Sequence, residues 1–275
     1  MQLLSFEDAE GFRLAAESWL AAAEHENNLL LTTLLAAPPD TNFRGWLVVA
    51  SGTPQLALLQ IPPHHLLLSQ GNAEAAAWAA GHLRTDLPGV TGPAPIACAF
   101  ATPWSERTGR LSVLNNEMTF FTAERVAPFR QPQGSLRAAG IEDFEELAPL
   151  AAAATREMNL SKSEQEPEQV ERVLRRAISE RRQFVWADGA SIRTTASYVE
   201  ALPRGGARIR GVFTPPAFRG RGYGSAMTGA LAERLLATGQ GWVCLFADNA
   251  NPVSTGIYRR LGFQAGANYA SVRFD

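Results

Sequence analysis

A run of strand-forming residues from Ala207 to Thr214 is stopped by Pro215 and Pro216, and a bend rich in glycine follows before an amphipathic stretch from Ser225 to Leu236. This feature constrains the chain more than any other. Two consecutive prolines cannot continue a central ladder, so the strand ends at Thr214. Gly220, Gly222 and Gly224 carry no Cβ, so the backbone is free to take positive φ and to approach a ligand closely. Met227, Leu231 and Leu235 recur at helical spacing, which predicts a helix over Ser225–Leu236. Its first turn offers unpaired N–H groups and the positive end of the helix dipole. Such a bend suits a phosphate or pyrophosphate, and Arg219 and Arg221 add charge where anionic oxygens would lie.

Two nucleotide-binding motifs compete for this stretch. A Walker loop ends in Gly-Lys-Ser/Thr, whereas this run ends in Gly224-Ser225 with no lysine. A dinucleotide fingerprint places its glycines directly after the strand at G-x-G-x-x-G spacing. Here Pro215–Arg219 intervene and the glycines fall as G-x-G-x-G, although Asp248 stands near where a ribose-binding acid would be.

The surrounding pattern predicts the element order β-α-α-β-β-β-α-β-α-β over the C-terminal half. Strands are expected at Ser135–Ala139, Gln183–Ala187, Ser191–Glu200, Ala207–Thr214, Trp242–Ala247 and Gln264–Phe274. Helices are expected around Ile141–Leu150, Glu168–Arg181, Ser225–Leu236 and Asn251–Leu261, with Glu157–Pro167 a polar loop and Asp188-Gly189 a hairpin turn. The N-terminal half roughly repeats the order. Phe6–Leu20, Asn27–Leu35, Ala73–Leu83 and Ile96–Arg107 look helical. Trp46–Ala50, Gln55–Ile61, Leu66–Ser69 and Arg110–Ala123 look like strands, with a strand-like stretch between the last two helices. A divergent internal duplication is the expectation. The boundary falls near Ala127–Gly134, giving domains 1–130 and 131–275.

Composition narrows the function classes. A net charge of -2 points to neither nucleic acid nor an anionic membrane as partner, and no signal sequence or bilayer-spanning run is read. Cys98 and Cys244 are expected as two free core thiols in a reducing cytoplasm. His25, His64, His65 and His82 lack metal-ligand spacing with Cys, Asp or Glu, so no metal site is expected.

The segment Arg219-Gly-Arg-Gly-Tyr-Gly224 resembles the coenzyme A loop Arg/Gln-x-x-Gly-x-Gly/Ala of the GCN5-related N-acetyltransferases (GNATs). Val212–Pro216 resembles the strand end before that loop. Asn251-Pro-Val-Ser-Thr-Gly-Ile-Tyr258-Arg-Arg-Leu-Gly-Phe263 resembles the family's next signature. The close likeness covers Ala207 to Phe263, and element order extends it over Ser135–Asp275. The N-terminal half is similar to the degenerate first domain of tandem members and has no such loop.

The resemblance implies two tandem GNAT-like domains of the α+β or α/β class, each a mixed, mostly antiparallel sheet flanked by helices. It implies acetyl-CoA as co-substrate, no metal, and transfer of an acetyl or short acyl group to a primary amine by direct attack. Amides of Gly220, Arg221, Gly222, Tyr223, Gly224 and Ser225 would bind the pyrophosphate, aided by Arg219. Val212, Phe213 and Thr214 would pair with the pantetheine arm like an added strand. The strands Ala207–Thr214 and Trp242–Ala247 would splay to admit the thioester, and a strand N–H would stabilise the oxyanion. Asn251 would contact the pantetheine arm or only cap its helix. Tyr258 would be the general acid, a phenol of ordinary pKa protonating the leaving thiolate, or a packing residue.

The base is open. Some family members carry a Glu on the strand before the loop, but Ala207–Thr214 has no carboxylate. Glu200, Asp248 or an amine arriving neutral are the alternatives. Glu157, Glu164, Glu166 and Glu168 suggest an acidic rim for a cationic amine, or a solvated loop. A non-catalytic acyl-CoA sensor is the competing function, and the chain is expected as a monomer or homodimer.

Overall fold

The computed structural model describes residues 1–37, 41–158, 165–200 and 205–275. The first half runs β1 (Gln2–Phe6), α1 (Ala9–Ala21), α2 (Glu24–Leu35), β2 (Arg44–Ala50), β3 (Thr53–Gln60), β4 (Leu66–Leu68), α3 (Ala73–His82), β5 (Gly89–Pro93), α4 (Ala94–Thr108) and β6 (Ser112–Ala123). The second half runs β7 (Ser135–Ala138), α5 (Phe144–Glu157), α6 (Pro167–Ser179), β8 (Gln183–Asp188), β9 (Ser191–Val199), β10 (Gly206–Phe213), α7 (Tyr223–Ala237), β11 (Trp242–Asp248), α8 (Pro252–Arg260) and β12 (Gln264–Phe274).

Among the described residues these strands form one twelve-stranded sheet, ordered β1-β2-β3-β4-β5-β12-β6-β11-β10-β9-β8-β7. Exchanging β1–β6 with β7–β12 returns the same order read backwards. The chain is therefore an internal repeat with a pseudo-twofold centre between β12 and β6. Each half gives its last strand to the other. β6 pairs antiparallel with β11, and β12 pairs antiparallel with β5. The two pair with each other at the centre.

Residue alternation along these strands divides the core between the two faces. On one face, Phe121, Ala123, Val243 and Leu245 pack with Tyr223, Met227 and Leu231 of α7 and Tyr258 of α8. On the other, Phe120, Trp242, Cys244 and Tyr269 pack with Phe12 and Leu20 of α1 and Leu30 and Leu31 of α2. Helices of the first half thus cover strands of the second. Tyr269 donates its hydroxyl to the Glu26 carbonyl, and the His25 ring lies 4.2 Å from that of Trp242. Burying each such large side chain stabilises by roughly 1.5–3 kcal/mol, so the exchange is a major part of the core.

The expected C-terminal order is present throughout. Gly189 takes φ +61 in the hairpin turn, as the Asp188-Gly189 pair predicts. α6 buries Val170, Leu174, Ala177 and Ile178, with Arg176 and Glu180 paired at 2.8 Å on its outer side. The Glu157–Pro167 loop lies partly outside the described residues, and α5 runs to Glu157.

The first half departs further from expectation. Gln2–Phe6 is an edge strand on β2, where Phe6 had looked like the start of a helix. β5 reads Gly-Val-Thr-Gly-Pro because its neighbours press on it. A Cβ on Gly92 would lie 2.8 Å from the Leu68 Cβ, and one on Gly89 would lie 2.5 Å from His65. The segment between β6 and β7 is pinned by Ala127 N–H to the Leu261 carbonyl and by Trp186 Nε1 to the Gln133 carbonyl. Cys244 is buried, but Cys98 is exposed on α4 rather than in the core. No described helix is long and apolar enough to cross a membrane.

Candidate active site

β10 and β11 run parallel and are paired only at Gly206–Trp242, Ala207–Val243 and Arg208–Cys244. Beyond that point they separate, while β11 stays bonded to β6 as far as Asp248. The facing edges of Ile209–Phe213 and Leu245–Asp248 therefore border a gap. β10 also bulges. Between the pairs Arg210–Ser197 and Phe213–Thr195 it has two residues where β9 has one. Gly211 in the bulge takes φ +64, which turns the strand at that point.

The glycine bend closes the wide end of the gap. Pro216–Phe218 form a short 3-10 turn, Gly220 takes φ +74 and Gly222 φ +87, and α7 begins at Tyr223. A Cβ at Gly220 or Gly222 would meet nothing within 4 Å, so glycine is needed there for φ and not for space. The first helical bond of α7 is Ala226 N–H to the Gly222 carbonyl. Every amide from Gly220 to Ser225 is free of a hydrogen bond to any described residue. Six successive N–H groups without a bond to any described residue, at the start of a fifteen-residue helix, form an arrangement of the kind that suits an anion.

Thr214 ties this bend to the sheet. Its hydroxyl bonds Thr194 Oγ1 at 3.0 Å, and Thr194 in turn donates to the Phe213 carbonyl at 2.8 Å. Gly224 sits so close that a Cβ would be 3.4 Å from Thr214 Oγ1. Arg219 donates through Nε to the Thr214 carbonyl at 2.9 Å and through its second amino group to Glu157 at 2.6 Å. The carbonyls of Phe213 and Thr214 are thus already bonded, and Val212, in the bulge, is the freest of the three strand residues. Arg221 is exposed and makes no ion pair among the described residues.

Tyr258 is buried against Phe121 and Phe263 and bonds Ser254 one turn earlier on α8. Burial pushes its hydroxyl up to about 12, only partly offset by Ser254. It is therefore a weaker acid than the unperturbed phenol expected from sequence. Asn251 caps α8, accepting from Ser254 N–H at 3.2 Å. Asp248 accepts from Ala250 N–H in the turn before it. Tyr223 packs into the same apolar cluster as Tyr258, and Ser225 is half-buried in the first turn of α7.

Glu200 does not join this group. It follows Val199, which stands opposite Arg208, so it lies at the closed end of β10. Continuing that register it falls opposite Ala207, about 16 Å of strand from Val212 at roughly 3.3 Å per residue. Its carboxylate instead bonds the Tyr198 hydroxyl and helps raise that group's pKa, after the larger effect of burial. The acidic rim is also reduced. Glu157 is neutralised by Arg219, and Glu164 lies outside the described residues.

Sequence reading missed Arg208 and Arg210. Both face away from α7, and the signal was present as two arginines at alternate positions of the strand that leads into the glycine bend. Among the described residues no group of three or more His, Cys, Asp or Glu side chains is placed to hold a metal ion.

In the first half the equivalent position is built differently. Leu68 packs on Gly92, which closes β4 against β5. α3 is capped by Asn72, whose side chain takes Glu74 N–H at 2.8 Å, and Glu74 places a negative charge in the first turn.

Residues 190–272, from β9 to β12, match the family described as FR47-like protein. No curated protein matches the chain in sequence. Solved structures similar over the whole length include an acetyltransferase of the GNAT family from Colwellia psychrerythraea, with TM-score 0.66, 9% identity and 100% of both chains covered. A GCN5-related N-acetyltransferase from Sphaerobacter thermophilus aligns with TM-score 0.62 and 17% identity over 98% of this chain and 95% of that one. A tandem GNAT protein from the clavulanic acid biosynthesis pathway aligns with TM-score 0.58 and 17% identity over 98% of both chains.

Proposed function

This chain has the GNAT fold in a tandem, strand-exchanged form, and we propose that its second half, residues 131–275, transfers an acetyl or short acyl group from acetyl-CoA to a primary amine. The observation that carries this reading is the row of free amides from Gly220 to Ser225 at the mouth of the β10–β11 gap. A diphosphate held there aims a thioester along β10 towards the bulge at Gly211 and Val212. Residues 1–130 form a degenerate copy, whose α3 terminus is filled by Asn72 and Glu74. Its task is to supply β6 and α2 to the catalytic half. The internal twofold makes a monomer sufficient, and the unpaired cysteines suit a reducing cytoplasm.

In the reaction the amine attacks the thioester carbonyl and a free N–H in the bulge holds the developing oxyanion. As the C–S bond breaks, Tyr258 gives its proton to the leaving sulfur, and the proton shed by the acylated nitrogen passes to water or back to the tyrosinate. The Tyr258 phenol is fully protonated at neutral pH, so the acid is always present, though its raised pKa makes the transfer less favourable than from an ordinary phenol. β10 carries no carboxylate, and Asp248, which borders the gap at the end of β11, accepts from Ala250 N–H in the turn that follows. Arg208 and Arg210 repel an ammonium group there, which favours the neutral, nucleophilic form of the amine.

The test is thiol release from acetyl-CoA with a panel of primary amines. Turnover that falls in Tyr258→Phe while acetyl-CoA affinity is unchanged supports the reading. Tight acetyl-CoA binding without turnover on any amine favours the sensor, which the lack of a carboxylate on β10 also favours. No binding of acetyl-CoA removes both.

A further inference from the structure

Arg208 is a cation in an unusual place. Only 9% of it is exposed, and it makes no hydrogen bond or ion pair with any described residue. Isolated buried charge is strongly unfavourable, and proteins retain it where the missing partner is supplied by a ligand. The groups around Arg208 are Cys244 opposite it on β11, Phe246 two residues further on, Tyr269 of β12 and Arg210. None of these is a carboxylate. The buried carboxylate of Glu24 on α2 acts on Cys244, while the titratable groups that act on Arg208 itself are Cys244, Arg210 and Tyr269.

The direction of the side chain matters. Its guanidinium carbon lies 5.9 Å from the Phe246 ring centre, so it leans from the last bonded pair of β10 and β11 towards the part of the gap where they have separated. At that distance the ring face offsets little of the burial cost. Arg210, two residues along on the same face, extends the positive charge towards the bulge and touches Ser197 at 3.3 Å. The basic cluster continues through Arg182 and Arg176, whose charges act on Arg210 and which both pair with Glu180.

We propose that Arg208, with Arg210 beside it, binds a carboxylate of the substrate pair at the narrow end of the β10–β11 gap. This rests on the acyltransferase reading of the same gap and assigns its substrate class. A planar guanidinium fork matches a carboxylate through two parallel hydrogen bonds, which an amide or a methyl group cannot replace. The carboxylate enters from one of two sources. It belongs to an amino acid acceptor, or it ends a dicarboxylic acyl chain on the coenzyme. Burial, with the nearby Arg210 charge, brings the Arg208 guanidinium down to about 10, which leaves it charged at neutral pH.

Equilibrium binding to the full chain separates these sources without requiring turnover. One arm titrates glycine, alanine and phenylalanine against glycinamide, alaninamide and phenylalaninamide, in the presence of coenzyme A. The other titrates succinyl-CoA against butyryl-CoA. The proposal expects the acid to bind at least tenfold tighter in one arm, and Arg208→Gln to abolish that difference while leaving acetyl-CoA affinity within twofold. Arg208→Lys, which keeps the charge, should retain part of it. If Arg208→Gln does not fold, the wild-type comparison and the lysine variant decide. Acids and neutral partners within threefold of each other in both arms overturn the proposal. Loss of acetyl-CoA binding with carboxylate preference kept would instead remove the acyltransferase reading and leave the Arg208 assignment standing.

Discussion

Arg219 bridges Glu157 at the end of α5 and the Thr214 carbonyl at the end of β10, holding the glycine bend to two elements at once. The Glu157 bond spends, in advance, part of the charge that a pyrophosphate would use. Both side chains are about half exposed, so the pair stabilises by no more than about 1 kcal/mol. Glu157→Gln should therefore tighten coenzyme A binding by up to about fivefold, and Arg219→Gln should weaken it. Calorimetric titration at two salt concentrations checks both. A weaker Kd in Glu157→Gln would show that the bridge orders the bend rather than competing for the ligand.

Gly222 is the second test of the bend. At φ +87 any side chain is strained, although space is open around it. Gly222→Ala should cost about 1–2 kcal/mol of stability from the backbone alone. Coenzyme A affinity should fall more steeply, because relaxing φ would turn the neighbouring amides away from one another. Denaturant unfolding and titration on the same variant separate the two effects.

Tyr258 sets a limit at high pH. Its hydroxyl is pushed up from the ordinary 10.0 to about 12, so the folded state holds its proton where the unfolded state loses it. Stability from this group is fully present below pH 10 and is lost as pH rises from 10 to 12, by about 1.4 kcal/mol per unit. Tyr258→Phe should remove that alkaline loss. It should also lower kcat by about 10²–10⁴ without raising the KM for acetyl-CoA. Unfolding midpoints between pH 8 and 11, with kinetics at pH 8, test both.

The strand exchange predicts that the second half does not stand alone. Residues 131–275 by themselves would lack β6, which pairs with β11 from Val243 to Asp248, and α2, which covers Trp242 and Cys244. A bare apolar edge of this kind promotes aggregation or pairing between copies. Size-exclusion chromatography should find that fragment oligomeric or insoluble, and the full chain monomeric. A folded, monomeric fragment would show that the exchanged strand is dispensable.

Much of the candidate site was legible because its parts are contiguous. Pro215 and Pro216 stop a strand, Gly220 and Gly222 accept positive φ, and α7 presents its free amides whatever else surrounds it. The hairpin at Gly189 and the cap at Asn251 are local in the same sense. Glu200 shows the limit of such reading. Its distance from Val212 depends on β9–β10 register and not on sequence separation. The strand-like stretch expected between the last two helices of the first half is β5, but its bounds could not be read because its glycines answer to Leu68 and His65, which lie outside it.

The amino-acid order alone determined the helices, the turns and the glycine bend, because each depends on the conformations of neighbouring residues. Only the tertiary structure decided that β6 and β12 change places, that β10 and β11 part after Arg208, and that Arg208 is buried with no ion pair to any described residue. Those outcomes depend on which strands lie side by side. Sheet neighbours such as Arg208, Phe246 and Tyr269 come from distant parts of the chain, and their contact is set by packing of the whole core.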